Sequence, residues 1–260
     1  MPIKTDYKLG QFCWVDLAAH DIDEAATFYG DFLGWTRERR DLPEGAPRYE
    51  MLRLGGRKVA GIGQMSADMI SSGVPPTWNS YLNVEDVDAI AARSKGLGAT
   101  VTVPPMDAAD AGRLAFIQDP TGAIVGLWQK QLHFGSEQVG DAGCAYWNEL
   151  QTRDSDAAQE FYGSLFGWQF EERTDDIVSH RLIHCDGSPN GSIVQMDERW
   201  GNMPPRWAVY FAVENADFAA DQLRQLGGMV YVPPFDYPIG RTAMVGDIEG
   251  AMFNVLEPRD

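Results

Sequence analysis

The chain has 260 residues, enough for two ordinary domains, and its 44% hydrophobic and 23% charged content is that of a globular protein. No apolar run approaches the ~18 residues that a membrane-spanning helix needs, and the first residues lack the pattern of a secretory signal. The formal net charge of −17 disfavours nucleic acid and anionic membranes as partners, because both would repel this surface.

The cysteine content indicates a reducing compartment. Cys13, Cys144 and Cys185 are an odd number, and none belongs to a Cys-x-x-Cys pair. They cannot all pair within the chain, so we expect three reduced thiols in a cytoplasmic protein. The sequence leaves the assembly open between a monomer and a homodimer.

The first predicted elements are a short strand from Trp14 to Leu17 and an amphipathic helix after it. Asp21, with Glu24 three residues later, resembles a capping box that begins the helix, and Gly34 ends it. The apolar face of the helix has the spacing i, i+3, i+4 and i+7. Its members are Ala25, Phe28, Tyr29 and Phe32.

A second unit of the same kind follows. Asn79 to Val84 is a predicted strand, Asp86 a predicted cap, and Val87 to Leu97 a predicted helix that ends among glycines. Three more short strands are separated by Gly and Pro. They are Ala99 to Val103, Leu114 to Gln118 and Ile124 to Gln129. The unit is therefore strand–helix–strand–strand–strand.

The whole pattern then repeats. Phe28-Tyr29-Gly30 and Gly34-Trp35 return 133 positions later as Phe161-Tyr162-Gly163 and Gly167-Trp168. The offset falls only to 128 by Asp247, the counterpart of Asp119. A drift this small indicates a tandem duplication with short loop deletions. We expect a first domain over residues 1–130, a linker over 131–143 and a second domain over 144–260.

These motifs carry a resemblance. The Phe-Tyr-Gly helix ending in Gly-Trp, with the turn Asp119-Pro120-Thr121-Gly122 before a last strand, resembles the vicinal oxygen chelate superfamily. That superfamily contains glyoxalase I, extradiol dioxygenases and bleomycin-resistance proteins, and the two-domain form is similar to glyoxalase-like, hydroxylase-like proteins of actinobacteria. The resemblance implies an α+β fold, in which four βαβββ modules pair into two cup-shaped β-sheet domains with the helices outside. It also implies a small-molecule site in the cup.

Enzymes of that superfamily hold a divalent metal in the cup, through histidines and a glutamate. The resemblance assigns those positions to Trp14, Asn79 and Gly126 in the first copy, and to Trp147, Ala208 and Asn254 in the second. These side chains are poor or impossible metal ligands, so we expect no cofactor. A divalent metal stays the alternative, through His180 and His184, which are four residues apart on a predicted strand. A pair at the surface is the competing interpretation of these two histidines.

Strand alternation predicts which side chains enter the cups. Asp16 shares a face with Trp14, and Glu149 shares one with Trp147, so both acids are candidates for an acid or base. Rim carboxylates paired with Arg113 or Arg241 are the alternative. If the cup binds a ligand, Gly126 leaves room for it. The predicted ligand-binding residues are Trp14, Asn79, Tyr81, Trp128, Trp147, Tyr210 and Asn254.

The remaining motifs predict structure rather than chemistry. The aromatic residues Phe28, Tyr29 and Trp35 are expected in the core. The Asp-Pro-Thr-Gly segment and the Pro-Pro pairs are expected to form turns. His20 and His133 are expected in solvent.

Three functions fit these observations. The preferred one is a metal-free cup that binds a small organic ligand, aromatic or carbonyl-bearing, for sequestration, sensing or resistance. The second is an enzyme, a lyase, isomerase or hydroxylase of the glyoxalase and dioxygenase type, either metal-independent or with unusual metal ligands. The third is an interaction protein with vestigial cups.

Overall fold

The structure, a computed structural model, describes residues 3–38, 48–174 and 179–259. These residues form two eight-stranded sheets, one in each half of the chain. The strands of the first sheet are β1 (Phe12–Ala19), β2 (Thr36–Glu38), β3 (Tyr49–Leu54), β4 (Arg57–Gln64), β5 (Thr77–Asn83), β6 (Thr100–Ala108), β7 (Gly112–Gln118) and β8 (Ile124–Lys130). The strands of the second sheet are β9 (Ala145–Thr152), β10 (Gln169–Thr174), β11 (Ser179–Cys185), β12 (Ser188–Gln195), β13 (Arg206–Ala212), β14 (Met229–Tyr237), β15 (Gly240–Gly246) and β16 (Met252–Pro258).

The helices are few and short. They are α1 (Ile22–Leu33), α2 (Ala67–Ser71), α3 (Val87–Gly96), α4 (Ser155–Phe166) and α5 (Ala216–Gln225), with one 3-10 turn at Glu198–Trp200. Across the described ranges, none of these helices has both the length and the apolar character to cross a membrane.

Both sheets have the same strand order, which confirms the predicted duplication. The order is β2-β3-β4-β1-β5-β8-β7-β6 in the first sheet and β10-β11-β12-β9-β13-β16-β15-β14 in the second. Each module pairs its first strand in parallel with its last, as β1 does with β4 and β5 with β8. Two modules meet at an antiparallel pair, β1 with β5. The fold is therefore α+β, with four βαβββ modules paired into two cup-shaped sheets, as predicted.

Helix α1 begins and ends where its sequence predicts. The Asp21 carboxylate accepts hydrogen bonds from the backbone N–H groups of Asp23 and Glu24 and caps the first turn. Gly34 follows the last turn with a φ of 74°, a left-handed conformation that costs glycine little because it has no Cβ. Helix α4 of the second half has the same arrangement.

Alternation along β1 divides its side chains between the two faces of the first sheet. Val15 and Leu17 point to the convex face and pack in the core beneath α1. Trp14 points to the concave face, and Asp16 is hydrogen-bonded there by Tyr81. The helices thus lie outside the cup, which leaves the concave face for a site.

The two halves share their hydrophobic cores through the convex faces. The Tyr29 ring lies 5.7 Å from that of Phe253, and Trp35 lies 5.4 Å from Phe211 of the second sheet. The Trp35 indole also donates a hydrogen bond to the carbonyl of Gly143 at 2.7 Å. The aromatic residues of the repeated motif are therefore core residues, as predicted, and they hold the two halves together.

Two of the Pro-Pro pairs lie in strands rather than in turns. Pro104-Pro105 lies inside β6 and Pro233-Pro234 inside β14, which are edge strands of the two sheets. The pairing register with the neighbouring strand shifts at each pair. Because proline lacks the N–H that a sheet ladder needs, an irregular edge strand accommodates it. The expectation of a turn is wrong for these two pairs.

Residues 131–143 pass from the first half to the second outside the named helices and strands. Backbone hydrogen bonds hold this segment against the first sheet, from the N–H of Ser136 to the carbonyl of Cys13 and from that of Glu137 to Lys58. The segment therefore lies close to the first cup. All three cysteines are free and buried, in agreement with the prediction from their number.

Candidate functional site

The first cup is built around the carboxylate of Asp16, which is 8% exposed. Its Oδ2 accepts hydrogen bonds from the hydroxyls of Tyr81 at 2.9 Å and Tyr49 at 3.2 Å. Its Oδ1 accepts one from Asn79 Nδ2 at 3.0 Å. The strand register explains this, because Asp16 lies directly opposite Asn79 where β1 pairs with β5. Three predicted site residues, Asp16, Asn79 and Tyr81, therefore form one network.

The surroundings of Asp16 raise the pKa of its carboxyl above the ordinary value. Burial raises the pKa of this carboxyl, and the three hydrogen bonds that it accepts oppose the rise. An ionised carboxylate has about four acceptor positions, so three donors leave one for a ligand. A protonated carboxyl could instead donate a hydrogen bond to a carbonyl oxygen. Either state suits proton transfer to or from a bound organic molecule.

Arg113 and Arg241 form their ion pairs elsewhere. Arg113 binds an aspartate of α3, and Arg241 binds one of α5. The alternative in which these arginines neutralise Asp16 and Glu149 is therefore wrong. Tyrosine hydroxyls and amide groups surround the two carboxylates instead.

Trp14 lies beside this network, under cover of the interdomain segment. Its Nε1 donates a hydrogen bond to the Tyr49 hydroxyl at 2.9 Å. The His133 ring meets the Trp14 ring edge-on at 4.4 Å, and the His133 carbonyl accepts a hydrogen bond from Trp128 Nε1 at 2.8 Å. Because His133 is only 4% exposed, the expectation that it lies in solvent is wrong. His20 does lie at the surface, as expected.

Two glycines make room for the tyrosines of the first cup. A Cβ on Gly126 would lie 2.3 Å from the Tyr81 ring, and a Cβ on Gly61 would lie 2.0 Å from the Tyr49 hydroxyl. Neither distance is sterically possible, so glycine at these positions lets each tyrosine reach Asp16. The expectation that Gly126 leaves space for a ligand is wrong, because Tyr81 occupies that space.

The second cup has the same plan around Glu149, which is 1% exposed. Its Oε1 accepts hydrogen bonds from the hydroxyl of Tyr210 at 2.7 Å and from Gln151 Nε2 at 3.2 Å. Its Oε2 accepts from the hydroxyls of Tyr237 at 2.9 Å and Ser192 at 3.2 Å. A carboxylate has about four acceptor positions, so the four donors leave none of them free on Glu149.

Trp147 joins the second network through a serine. Its Nε1 donates a hydrogen bond to Ser192 Oγ at 2.9 Å, where Trp14 in the first cup reaches a tyrosine. Trp147 is half-buried, while Trp14 is buried. Both predicted tryptophans therefore line their cups, and the second is the more accessible of the two.

Two buried N–H groups of the second cup have no acceptor among the described residues. Arg206 Nε donates a hydrogen bond to Gln151 Oε1 at 3.0 Å, but Arg206 Nη2 has no partner there. Asn254 is 3% exposed, and its Nδ2 has none either. Burial of an unpaired donor costs about 1–3 kcal/mol, more for a charged group. Both groups are thus available to acceptor atoms of a bound molecule.

The two candidate metal-binding histidines lie on β11, and no third ligand accompanies them within the described ranges. His184 Nε2 lies 3.4 Å from a carboxylate oxygen of Glu171 on the neighbouring strand. The pairing of β11 with β12 shifts between Ile183 and His184, so the spacing of four residues does not follow regular alternation. No group of three His, Cys, Asp or Glu side chains that could hold a metal occurs within the described ranges.

A small cavity of about 150 Å³ lies between the first strands of the two halves. Neither Asp16 nor Glu149 lines this cavity. It borders the two networks through Trp14 and Trp147, which are hydrogen-bonded to Tyr49 and Ser192. Its aromatic lining residues are Tyr7, Phe12, Trp14, Tyr146 and Trp147.

Comparison with known families decides the family of the chain. A model of the Glyoxalase/Bleomycin resistance protein/Dioxygenase superfamily matches residues 11–127 and again residues 144–255. The chain belongs to this superfamily. Both matches fall on one sheet each, so each cup is a superfamily unit, as the resemblance of the motifs implies.

Relatives with similar sequences span the whole chain. A Mycobacterium tuberculosis protein named "Putative glyoxylase CFP32" is 38% identical over 262 aligned positions, which cover 99% of this chain and 98% of the relative. The anthracycline biosynthesis protein DnrV of Streptomyces peucetius is 32% identical and covers 98% of this chain and 96% of its own length. The two-domain arrangement is thus common to these proteins.

Solved structures of the superfamily share the fold at low sequence identity. The Mn(II)-bound glyoxalase of Novosphingobium aromaticivorans matches with a TM-score of 0.65 at 15% identity, over 97% of this chain and 83% of that one. The 2,3-dioxygenase LapB of Pseudomonas sp. KL28 matches with a TM-score of 0.64 at 15% identity, over 96% and 93%. These matches establish the fold of the superfamily for both halves.

The residues that the resemblance places at the metal positions do not fit a metal in this superfamily member. Trp14 and Asn79 direct N–H groups toward Tyr49 and Asp16, so those atoms offer no lone pair to a cation. Gly126 has no side chain. The counterparts in the second cup are an indole, a methyl group and an amide, at Trp147, Ala208 and Asn254.

Five polar residues of the two networks are missing from the sequence-based prediction. The sequence could have indicated two of them. Gln151 follows Glu149 by two positions and so shares its face of the strand, and Tyr49 corresponds in the repeat to the candidate ligand His180. Tyr237 lies at the end of β14, beyond the register shifts that interrupt alternation in this strand. The five are Tyr49, Gln151, Ser192, Arg206 and Tyr237.

Proposed function

We propose that this protein binds a small organic ligand, aromatic or carbonyl-bearing, in a cup that does not use the metal ion of the superfamily. The observation that carries the proposal is the buried carboxylate at the centre of each cup, Asp16 or Glu149, within hydrogen bonds from tyrosine and amide groups. Trp14 and Trp147 lie beside these networks and would provide apolar contact area. The roles that fit are sequestration, sensing or resistance.

The relatives support a small organic ligand. One is named for a role in anthracycline biosynthesis, and anthracyclines are polycyclic aromatic molecules with carbonyl groups. Solved members of the fold include a glyoxalase and a ring-cleaving dioxygenase. A ligand that combines a ring with carbonyl oxygens matches both of these names and the mixture of indole, phenol and carboxyl groups in the cups.

A thermal-shift screen of aromatic compounds and α-keto acids tests this proposal on the whole chain. A compound at 100 times its dissociation constant should stabilise the fold by about 2.7 kcal/mol, which is a clear rise in melting temperature. If the first cup binds the compound, Asp16→Asn should reduce the rise in melting temperature. If the second cup binds it, Glu149→Gln should do so. A screen that yields no stabilising compound would contradict the proposal.

A second candidate is a metal-independent lyase, isomerase or hydroxylase with Asp16 as acid or base. The raised pKa of Asp16 favours it, because a carboxyl that titrates nearer to neutral pH is a better proton-transfer group. Turnover of a screening hit that is lost in Asp16→Asn, with binding retained, would support the enzyme. Binding without any turnover would support the binding protein.

A further inference from the structure

The first cup is filled by its own side chains. The rings of Tyr81 and Tyr49 occupy the space above Gly126 and Gly61, and His133 covers Trp14. Each of the three hydrogen bonds that Asp16 accepts comes from a residue of the same sheet. In the first cup the tyrosine rings therefore occupy the space next to Asp16.

The side chains of the second cup differ from those of the first at the matched positions. Ser192 and Asn254 replace Gly61 and Gly126 and add polar groups. Ala208 presents a methyl group where Asn79 of the first cup presents an amide, and it lies opposite Glu149 in the strand pairing. Trp147 is half-buried. The buried apolar cluster of this cup is also small, with Ala208, Tyr210 and Leu256 as its buried members.

Arg206 is half-buried on the concave face of this cup, and its Nη2 atom is buried. It forms no ion pair with any described residue, and burial lowers the pKa of its guanidinium, although Tyr210 and Glu149 oppose this effect. Arg206 Nε donates a hydrogen bond to Gln151, which itself donates one to Glu149. Since four donors already fill Glu149, its carboxylate has no position left for Arg206 Nη2.

Asn254 contributes a buried Nδ2 that has no acceptor in the part of the chain that the structure describes. It lies opposite Tyr210 in the pairing of β13 with β16, and its neighbours Phe253 and Val255 point to the convex core, so its side chain enters the cup. Arg206 precedes Tyr210 by four positions on β13, which is about 13 Å along a strand. The two unpaired donors are therefore on one concave face, on neighbouring strands, with Ala208 between them.

We propose that the second cup is the ligand-binding cup and that its ligand is an organic acid with a ring. An anionic oxygen would bind Arg206 Nη2, and a second acceptor oxygen would bind Asn254 Nδ2. The first cup is then a structural copy. This inference rests on the proposed function and adds to it the cup and the chemical class of the ligand.

Calorimetric titration of the whole chain with 6-hydroxy-2-naphthoate and with the matching neutral amide tests the inference. Wild-type protein should bind the acid more tightly than the amide. Arg206→Met should weaken the acid about 10- to 100-fold, as expected for loss of a charged hydrogen bond, and change the amide by less than about twofold. Asn254→Leu should weaken both compounds. Asn79→Ala, the matched change in the first cup, should alter neither affinity by more than about twofold.

A stability measurement separates binding from folding. Because Asn254 Nδ2 has no partner among the described residues, Asn254→Leu should not lower the melting temperature while it weakens binding of the acid. A large loss of stability in this variant would instead assign Asn254 a structural role and overturn its part of the inference. Asn254→Leu also keeps the test usable if Arg206→Met fails to fold.

The outcomes distinguish this inference from the proposed function. Equal affinity of wild-type protein for acid and amide, or weakening by Asn79→Ala but not by Arg206→Met, would overturn the inference and leave the proposed function in place. The same holds if only neutral aromatic compounds stabilise the protein. If no organic compound binds to either cup, both fail together.

Discussion

The hydroxyl of Tyr29, in the first half of the chain, donates a hydrogen bond to Asp247 Oδ2 in the second half at 2.9 Å. The reciprocal bond runs from Tyr162 to Asp119, also at 2.9 Å. Asp119 at the same time accepts backbone hydrogen bonds that close its own turn. The Asp-Pro-Thr-Gly segment is therefore a turn, as predicted. It binds a helix of the second half through Asp119, and the corresponding turn at Asp247 binds a helix of the first.

Removing either tyrosine hydroxyl should destabilise the protein. In Tyr29→Phe, Asp247 loses a donor and the Trp78 indole N–H loses its acceptor, both in buried surroundings. At about 1–3 kcal/mol for each group left unpaired, we expect a loss of about 2 kcal/mol or more in the free energy of unfolding. Urea denaturation measures it, and Tyr162→Phe should lose a similar amount by symmetry.

The control for this pair is Tyr231→Phe, because the Tyr231 side chain is 42% exposed. Its free energy of unfolding should change by no more than about 0.5 kcal/mol. If Tyr29→Phe were as mild as Tyr231→Phe, the bond between the halves would not stabilise the fold.

Local sequence patterns predict much of the architecture. The offset of 133 between the two Phe-Tyr-Gly motifs predicts the duplication, and strand alternation correctly places Asp16 with Trp14 and Glu149 with Trp147 on the concave faces. Caps and glycines at the helix ends predict α1 to within two residues. These features depend on neighbours in sequence, so sequence spacing is sufficient to find them.

Contacts between distant segments could not be predicted in this way. A repeat shows that Tyr29 corresponds to Tyr162, but it does not show that each binds the other half. The burial of His133 depends on how the interdomain segment docks on the first sheet. The isolation of Arg206 depends on Glu149 being already filled by four donors, which requires the complete network.

The stability difference between Asp16→Asn and the wild-type protein should depend on pH. Since burial raises the pKa of Asp16, the folded protein binds this proton more tightly than the unfolded chain does. The wild-type protein therefore loses free energy of unfolding as the pH rises from about 4, the unfolded value, through the folded pKa. Asparagine has no such loss, so the variant should gain stability relative to wild type over this range.

Paired denaturation curves from pH 4 to pH 8 measure this difference. The contributions of the other titrating groups to the free energy of unfolding are common to both proteins and cancel. In the variant, Asn79 can still donate to the asparagine oxygen, while the two tyrosine hydroxyls lose Oδ2 as an acceptor. That cost does not depend on pH, so only the pH dependence of the difference is interpreted. A difference that stays constant with pH, or falls as pH rises, would show that the fold does not raise the pKa of Asp16.

Adding one methyl group in the first cup should be costly. In Gly126→Ala the new Cβ would lie 2.3 Å from Tyr81, so the ring must move and its bond to Asp16 must lengthen. We expect a loss of about 1–3 kcal/mol, as for other overpacked cores. Gly96→Ala is the matched control, because nothing lies within 4 Å of its Cβ at the end of α3.

The control substitution should stabilise the protein by about 0.4–1 kcal/mol, since alanine restricts the unfolded chain. Thermal unfolding of both variants by circular dichroism measures the contrast. Equal effects of the two substitutions would mean that Tyr81 does not occupy the space above Gly126, and that the first cup is open to ligands.

The central claim, a ligand-binding cup without a metal, is tested most directly by one binding titration before and after treatment with a chelator. The titrant is the organic compound that stabilises the protein most in the screen, and elemental analysis follows the metal content of both samples. We predict the same affinity in both, whatever metal the purified protein carries. Loss of binding after chelation, with recovery on adding back Mn(II) or Fe(II), would contradict the account.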